Sequence, residues 1–208
     1  QRRLKQLYPE ADVTALRVAL DTYAARADVR GVVVPVENDP QRDTDAAYAA
    51  WDADPCSVEA ANGVVEAING VVDHVAANLN DLRHVVVVGG DEVVPHARVS
   101  DLVSLSNQTA YADALTFGGR ETAQSAAMRA GMILTDDAYG DFDPQAWTSG
   151  RLFVPDVALG RLVETPQEIL AQLQQYTTAN GRLNPTSAFV AGYDFLTDGA
   201  EAVVAGLG

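Results

Sequence analysis

The sequence has a single cysteine, Cys56. It also has a single lysine, Lys5, because the other thirteen of its fourteen Lys and Arg residues are arginines. One cysteine excludes an intrachain disulfide and any metal site built from several cysteines. No apolar run approaches the ~18 residues that a membrane-spanning helix requires. We therefore expect no membrane span. The chain begins with Gln1 and shows no targeting signal, which indicates a piece of a longer protein.

Positive charge is scarce. The 208 residues include 14 Lys and Arg against 29 Asp and Glu, a formal net charge of −15. Such a surface repels a phosphate backbone, so we expect no nucleic-acid partner. It attracts basic substrates or divalent cations, although a solvated acidic surface that keeps the protein soluble is the simpler explanation. With 48% hydrophobic residues the chain can bury a real core.

The first part of the chain has the pattern of a helix followed by a strand–helix–strand unit. Helical spacing of apolar residues after Asp12 predicts a helix that ends before Gly31. The β-branched run 32–36 predicts a buried strand, an amphipathic helix follows from Ser57, and residues 85–88 predict a second strand. We therefore expect an N-terminal helical segment over 1–30 and an α/β domain over 31–208 with parallel strands.

A second unit follows the same pattern. Residues 154–159 predict a strand, and Thr165 and Glu168 form a capping box at the start of a helix. Residues 188–191 predict a further strand. The polar stretch 100–131 between the two units is interpreted as an insertion with a helix near 122–129. The sequence thus predicts a mostly parallel α/β sheet with helices on both faces.

Acidic residues follow the ends of the predicted strands. Because ligands of open α/β sheets bind beyond the carboxyl ends of the strands, we expect a negatively charged rim there, with Arg161 as a structural ion-pair partner, for example of Asp91. The residues predicted at this rim are Glu37, Asp39, Asp91, Glu92, Asp136, Asp137, Arg161 and Asp194.

Gly89-Gly90-Asp91-Glu92 matches the opening of the diguanylate cyclase signature. That signature joins two antiparallel strands, whereas here Pro95 follows within a few residues and removes a backbone donor. The glycine spacing also differs from that of dinucleotide and P-loop sites. The motif therefore indicates a strand ending in a turn and disfavours a cyclase.

The stretch "VVVVGGDEVVP" resembles the strand-turn of the gingipain-like cysteine peptidases, which have a caspase-like fold. Three further segments are similar to family segments and occur in the same order: "LTDDAYGD" at 134–141, "PDVALGRLVETPQEILAQLQQY" at 155–176 and "FVAGYDFLTDG" at 189–199. The resemblance covers roughly residues 32–208.

The resemblance implies a three-layer caspase-like fold and a secreted or surface-attached cysteine endopeptidase that cleaves polypeptides. In the family, the catalytic histidine and cysteine follow the segment that matches 189–199, so we expect a domain that is incomplete at its carboxyl end and inactive by itself. An aspartate in the position of Asp136 lies at the bottom of the pocket for the residue before the cut, which implies a preference for basic residues. Asp137 and Tyr139 in the same turn are expected to contribute to substrate binding.

Other interpretations stay open. Asp136 is also well placed to cap a turn, and Tyr139 to pack there. Cys56 lies beside a predicted helix start but far upstream of the family's nucleophile, so we expect an inert thiol. No cofactor is predicted. Structural calcium stays open at Asp141 and Asp143, where the sequence lacks the glycine and later ligands of a calcium loop.

Two other functions compete with the peptidase. One is a non-catalytic caspase-like α/β module of a larger protein, kept for partner binding. The other is a flavodoxin-like or receiver domain that binds Mg²⁺, which the lack of any lysine after Lys5 disfavours. The oligomeric state stays open in all three cases.

Overall fold

The computed structural model describes residues 2–37, 39, 41–79, 81–104, 107–148, 150–182, 186–190 and 197–207. Helices and strands are mixed along the chain, which confirms the α/β class. Their order is α1 (Arg2–Leu7), α2 (Glu10–Ala24), α3 (Thr44–Ala53), α4 (Val58–Ala76), β1 (His84–Val88), β2 (Ala97–Ser100), a 3-10 helix (Gln108–Leu115), α5 (Ala123–Arg129), β3 (Met132–Thr135), a 3-10 turn (Asp137–Tyr139), β4 (Gln145–Trp147), β5 (Gly150–Leu152), β6 (Ala158–Leu162), α6 (Pro166–Thr178) and α7 (Thr197–Leu207).

The chain divides into two compact units, Gln1–Ala171 and Gln172–Gly208. The first contains α1 to α5, the six strands and the start of α6. The second contains the rest of α6, which ends before Asn180 and Gly181 in left-handed backbone conformations, and α7. A boundary at residues 30 and 31 stays a prediction. None of the helices in the described residues is both long and apolar enough to cross a bilayer.

The helices α4 and α6 begin directly after Ser57 and Thr165, as predicted, whereas the helix predicted after Asp12 begins earlier, at Glu10. The Ser57 hydroxyl accepts a hydrogen bond from the Ala60 amide at 3.1 Å at the start of α4. Thr122 and Ser125 form a reciprocal capping box on α5, and the Glu168 carboxylate accepts from the Thr165 amide at the start of α6. A cap satisfies helix amides that lack partners in the first turn, which is why it marks the start.

The face of α4 that its apolar spacing predicts is the buried one. Each fully buried aliphatic side chain contributes roughly 1.5–3 kcal/mol, so tertiary packing rather than propensity holds this helix. Its buried residues are Ala61, Val64, Val65, Ile68 and Val71. Gly70 of the same helix accepts a hydrogen bond from Arg42 through its carbonyl, which ties the chain before α3 to α4.

The described strands form three separate pairs. β1 and β6 run parallel, from His84 opposite Ala158 to Val88 opposite Leu162. The pairs β2–β3 and β4–β5 are antiparallel. The parallel pairing of the strand at 85–88 with the strand before Arg161 is confirmed, but a mostly parallel sheet is not found among the described strands.

Three strand predictions are wrong in part. Residues 32–36 form no strand: Val32 is 58% exposed and Pro35 cannot donate to a ladder. The predicted strand–helix–strand unit therefore lacks its first strand. The strand expected at 154–159 forms later, as β6, because the Val154 amide donates to a carboxylate oxygen of Asp141 at 2.7 Å. Residues 188–190 form no strand, and residue 191 lies outside the described residues.

The stretch interpreted as an insertion joins the two antiparallel strands β2 and β3. It contains the 3-10 helix Gln108–Leu115 and α5, which contact each other and leave Ala112 and Ala127 buried. The helix predicted near 122–129 is confirmed as α5. Whether this connection is an insertion stays a prediction.

Candidate functional site

The 89–96 loop between β1 and β2 is held by side chains from distant parts of the chain. Six of its carbonyl oxygens accept hydrogen bonds from side chains. The donors are Arg161 to Gly89 and Val94, Arg3 to Glu92, Tyr48 to Val93, Tyr139 to Pro95, and Arg98 to His96. Because buried backbone oxygens need partners, these donors replace the ladder that a loop lacks and fix its path.

The loop begins with a glycine that the backbone requires. Gly89 has φ 114°, and a Cβ there would lie 2.8 Å from Cβ of Val93. Only glycine adopts this conformation without strain. Gly90 is less constrained, because its added Cβ would meet only the end of the flexible Glu92 side chain.

Asp91 is the buried acceptor at the centre of the loop, with 3% of its surface exposed. Its Oδ1 accepts from the His96 amide at 2.8 Å and lies 2.9 Å from His96 Nδ1. The Arg98 guanidinium donates to both carboxylate oxygens, at 2.8 and 2.7 Å. The Asp91–Arg98 pair is therefore a buried, bidentate ion pair, and His96 adds further hydrogen bonds to one of its carboxylate oxygens.

Burial by itself raises the pKa of Asp91. The hydrogen bonds from His96 and the charge of Arg98 outweigh that effect, so the pKa of this carboxyl lies below its ordinary value. Asp91 is therefore ionised in the folded protein at neutral pH, where it holds the loop through charge-assisted hydrogen bonds.

Arg161 pairs with Asp136, and not with Asp91 as expected from the sequence. Its Nε donates to Asp136 Oδ2 at 2.8 Å and its Nη2 to Oδ1, while its Nη1 reaches the carbonyls of Gly89 and Val94 at 2.7 and 2.9 Å. Asp91 is already occupied by Arg98, which explains the exchange of partners. The side chains of Arg161 and Asp136 are only 10% and 19% exposed.

His96 lies between the two ion pairs. Its Nδ1 contacts Asp91, and its Nε2 is 3.8 Å from Oδ1 of Asp136. An aspartate at Nδ1 is the arrangement that orients a catalytic base. Here the second nitrogen faces another carboxylate instead of a nucleophile, so the network as it stands braces the loop.

The other two residues of the predicted substrate turn differ from each other. Tyr139 is 1% exposed and its hydroxyl donates to the Pro95 carbonyl. Burial raises the pKa of Tyr139 well above its usual range. This leaves no surface for a substrate and supports the packing role over the substrate contact. Asp137 is exposed beside it.

Of the remaining acidic residues of the predicted rim, Glu92 belongs to the loop itself, whereas Glu37 and Asp39 have partners elsewhere in the chain. Glu37 accepts from the amides of Arg2 and Arg3 at 2.7 and 2.9 Å, and Asp39 pairs with Arg42 at 3.0 Å. Among the described residues no strand precedes these two, so the geometric argument that placed them at a sheet edge does not apply. Asp194 lies outside the described residues.

Cys56 has neither the charge environment nor the partner of a catalytic thiol. Burial and the nearby carboxylates of Glu121 and Asp54 raise the pKa of this thiol, whereas a nucleophilic cysteine has a lowered pKa. No hydrogen bond joins Cys56 to a histidine in the described part of the chain. The geometry favours the inert thiol.

Asp141, Asp143 and Asp156 form the one group of carboxylates in the described residues with the spacing of a metal site; their oxygen atoms lie within 4.8 Å of one another. The Asp141 carboxylate also accepts from the Asp143 and Val154 amides, and Asp156 accepts from the Phe142 amide. Three carboxylates fall short of the six to eight oxygens that calcium takes, and the backbone amides account for their positions.

Sequence reasoning missed four residues of this network: Arg3, Tyr48, His96 and Arg98. Arg98 follows the loop by two residues. Because it comes directly after the apolar residue Ala97, an alternating strand pattern predicts that it is exposed, whereas both residues are buried. Arg3 stacks over the rings of Tyr48 and Trp51 at 4.8 and 5.0 Å. The proline-histidine step after "GGDEVV" is the one local signal that pointed toward a constrained loop.

Comparison of the chain with protein-family models, with curated proteins and with solved structures finds no match.

Proposed function

We propose that this chain forms the amino-terminal part of a gingipain-like cysteine endopeptidase domain with a caspase-like, three-layer α/β architecture, in a secreted or surface-attached protein. The observation that supports this proposal most is the position of Arg161. It lies in the "LGRL" segment, contacts Asp136 of "TDDAYG", and donates to two carbonyls of "GGDEVVP". Three of the segments on which the resemblance rests therefore meet at one guanidinium.

The chemistry would be acyl transfer. A histidine deprotonates a thiol, the thiolate sulfur attacks the scissile carbonyl, backbone amides stabilise the oxyanion, and the amine leaves with a proton from the histidine. Water then hydrolyses the thioester. In the described residues Cys56 has no hydrogen bond to a histidine, and its pKa is raised. We therefore place the reacting thiol and its histidine outside these 208 residues, which contribute the scaffold and the substrate wall.

A preference for basic residues is the second part of the proposal. A carboxylate has about four lone-pair positions, and Arg161 uses two of those on Asp136. The side chain of Asp136 is 19% exposed. Its carboxylate therefore retains acceptor capacity for the basic side chain of a polypeptide substrate. Arg161 already offsets the negative charge of Asp136. The expected preference for basic residues is therefore smaller than the preference that an unpaired buried aspartate would produce.

One observation favours a different function, a non-catalytic α/β module that binds partners. In the described residues the carboxylates of Asp91 and Asp136 are both paired within the chain, and no thiol contacts a histidine. A network that is satisfied internally needs no substrate. Such a module would retain the fold and bind polypeptides without cleaving them.

A peptidase assay of the full-length gene product distinguishes the two. We expect cleavage of reporter peptides with arginine or lysine before the cut, loss of that activity after treatment with iodoacetamide, and unchanged activity in Cys56→Ala. Absence of cleavage by a folded full-length product would favour the binding module. Loss of activity in Cys56→Ala would refute the assignment of the nucleophile.

A further inference from the structure

A cavity of about 290 Å³ lies between α4, β2 and the β4–β5 hairpin. It is separate from the Arg161–Asp136 pair, and none of the proposed peptidase chemistry uses it. Its size is at the lower end of small-ligand pockets, enough for one large side chain and adjoining main chain. Its apolar wall is formed by Val65, Val99, Leu102, Met132, Trp147 and Phe153.

One wall of the cavity is a strand edge with unused main-chain groups. The Asp101 amide donates to the Gly131 carbonyl, and in an antiparallel pair the groups facing the partner alternate along the strand. The main chain of Arg98 and Ser100 therefore points away from β3. In the described part of the chain no hydrogen bond is found for the outward N–H and C=O of Ser100.

The equivalent groups of Arg98 show how this edge is satisfied elsewhere. The Asn62 side chain accepts from the Arg98 amide at 2.8 Å and donates to the Arg98 carbonyl at 2.9 Å. A side-chain amide thus takes the place of a neighbouring strand. The side-chain amide of Asn62 offers one donor and one acceptor at the spacing of a peptide group. The arrangement therefore indicates that the next outward-facing position of β2, Ser100, can pair with a peptide group.

Asn69 follows Asn62 by seven residues, two turns of α4, and so lies on the same face of the helix. It also lines the cavity. Its Oδ1 is buried and has no hydrogen-bond partner in the part of the chain that the structure describes. Buried side-chain oxygens almost always have partners, so this unpaired oxygen in the same cavity as the unpaired main chain of Ser100 points to a missing ligand that donates a hydrogen bond.

The rim adds an exposed aromatic ring and one pair of opposite charges. Trp147 is 56% exposed, and Arg151 lies 3.8 Å from Glu66 across the opening. The charges at the rim cancel. The site therefore suits a ligand that is neutral where it binds and that presents alternating donors and acceptors.

We propose that this cavity binds a segment of another polypeptide in an extended conformation. The segment lies beside Ser100, the outward-facing residue of β2 that Asn62 leaves unpaired, and pairs its main chain there. It also donates a hydrogen bond to Oδ1 of Asn69 and places one apolar side chain against Trp147. Strand addition with a side-chain pocket is an established mode of peptide recognition. A small apolar molecule fills the volume but leaves the amide and the strand edge unpaired.

The test uses the complete 208-residue chain, labelled with ¹⁵N, and the capped peptide Ac-Thr-Val-Leu-Val-Thr-NH₂. Titration should shift the Ser100 amide and the Trp147 indole resonances. The indole of Trp51, which is 2% exposed and donates to the Pro55 carbonyl, should not move and serves as the internal reference. Two analogues, methylated on the leucine nitrogen or on both valine nitrogens, identify main-chain pairing, because only alternate amides of an added strand face β2.

We expect one analogue to bind at least about tenfold more weakly and the other to bind like the parent peptide. Asn69→Ala should weaken binding by a similar factor while leaving the thermal midpoint unchanged or higher, since it removes an unpaired polar group. The matched control is Asn78→Ala. Asn78 is exposed and lies two residues after the end of α4, so this variant should bind the peptide normally. Absence of shifts at Ser100 and Trp147, or equal binding by both analogues, would overturn the proposal, as would unaltered affinity in Asn69→Ala.

Discussion

The guanidinium of Arg161 and the carboxylate of Asp136 form a bidentate ion pair although they are 25 residues apart in the chain. Arg161 also donates to the carbonyls of Gly89 and Val94, so one side chain joins the ends of β1, β3 and β6. Both partners are largely buried. A buried charge that loses its partner is strongly unfavourable, which makes this pair the place where the loop, the turn and the parallel strands depend on one another.

The first prediction concerns the energy of that pair. Arg161→Gln should lower the free energy of unfolding by about 3 kcal/mol or more, because it leaves the Asp136 carboxylate without its partner and two loop carbonyls without donors. Asp136→Asn should cost less, and the double variant should cost less than the sum of both. Urea denaturation followed by circular dichroism measures these values.

A matched control uses an exposed pair, Arg17 and Asp21, with side chains 34% and 50% exposed. Arg17→Gln should change the free energy of unfolding by roughly 0.5 kcal/mol or less. Equal effects in Arg17→Gln and Arg161→Gln would contradict the role given to Arg161.

The second prediction compares the two adjacent glycines of the loop. Gly89→Ala should destabilise the fold by roughly 1–3 kcal/mol or more, because a Cβ would lie 2.8 Å from Val93 Cβ in a left-handed region of backbone conformation. Gly90→Ala meets only the mobile end of Glu92 and should change stability by less than about 1 kcal/mol. Differential scanning calorimetry of the two variants decides the point: a larger loss for Gly90→Ala would show that the loop follows another path.

The third prediction is a pH dependence that originates at Asp91. Its pKa is lower in the folded chain than in the unfolded chain, so its contribution to stability is present above the unfolded value of about 3.9 and is lost as the pH falls through the folded value. Asp91→Asn should therefore destabilise the protein at pH 7 and should flatten the loss of stability between pH 5 and the acid limit of folding.

The control for this titration is Asp137→Asn, an exposed aspartate two residues before Tyr139. Because this side chain is exposed, Asp137→Asn should leave the free energy of unfolding at pH 7 unchanged within experimental error. If Asp91→Asn keeps the full acid slope, the carboxyl is not the group that the network holds ionised.

Among the described residues, local signals predicted α2, α4, α5 and α6 but not α3 or α7, and they predicted the tertiary contacts poorly. Ser57, Thr122 and Thr165 each carry a side-chain cap that acts within three residues, so the starts of α4, α5 and α6 could be predicted from the sequence. The strand at 32–36 was predicted from β-branched residues alone. A strand also requires a partner, and Pro35 together with the exposed Val32 shows that this segment has none among the described strands.

The site shows the same limit. The motifs pointed to Asp91, Asp136 and Arg161, and the structure places all three around one loop. They did not indicate which cation pairs with which carboxylate, because that choice depends on Arg98, two residues beyond the loop, which occupies Asp91 and leaves Asp136 to Arg161. Packing was one of the two predicted roles of Tyr139, but its partner could not be predicted, since the Pro95 carbonyl that accepts from its hydroxyl is 44 residues away.

The central claim is that these segments form one wall of a cysteine peptidase whose thiol lies elsewhere. The most direct measurement is to treat the full-length gene product with a peptidyl-arginine chloromethyl ketone and to locate the adduct by mass spectrometry. The account predicts a single alkylated cysteine that is not Cys56, with labelling that slows in Asp136→Asn. Alkylation of Cys56, or no adduct on a folded protein, would contradict it.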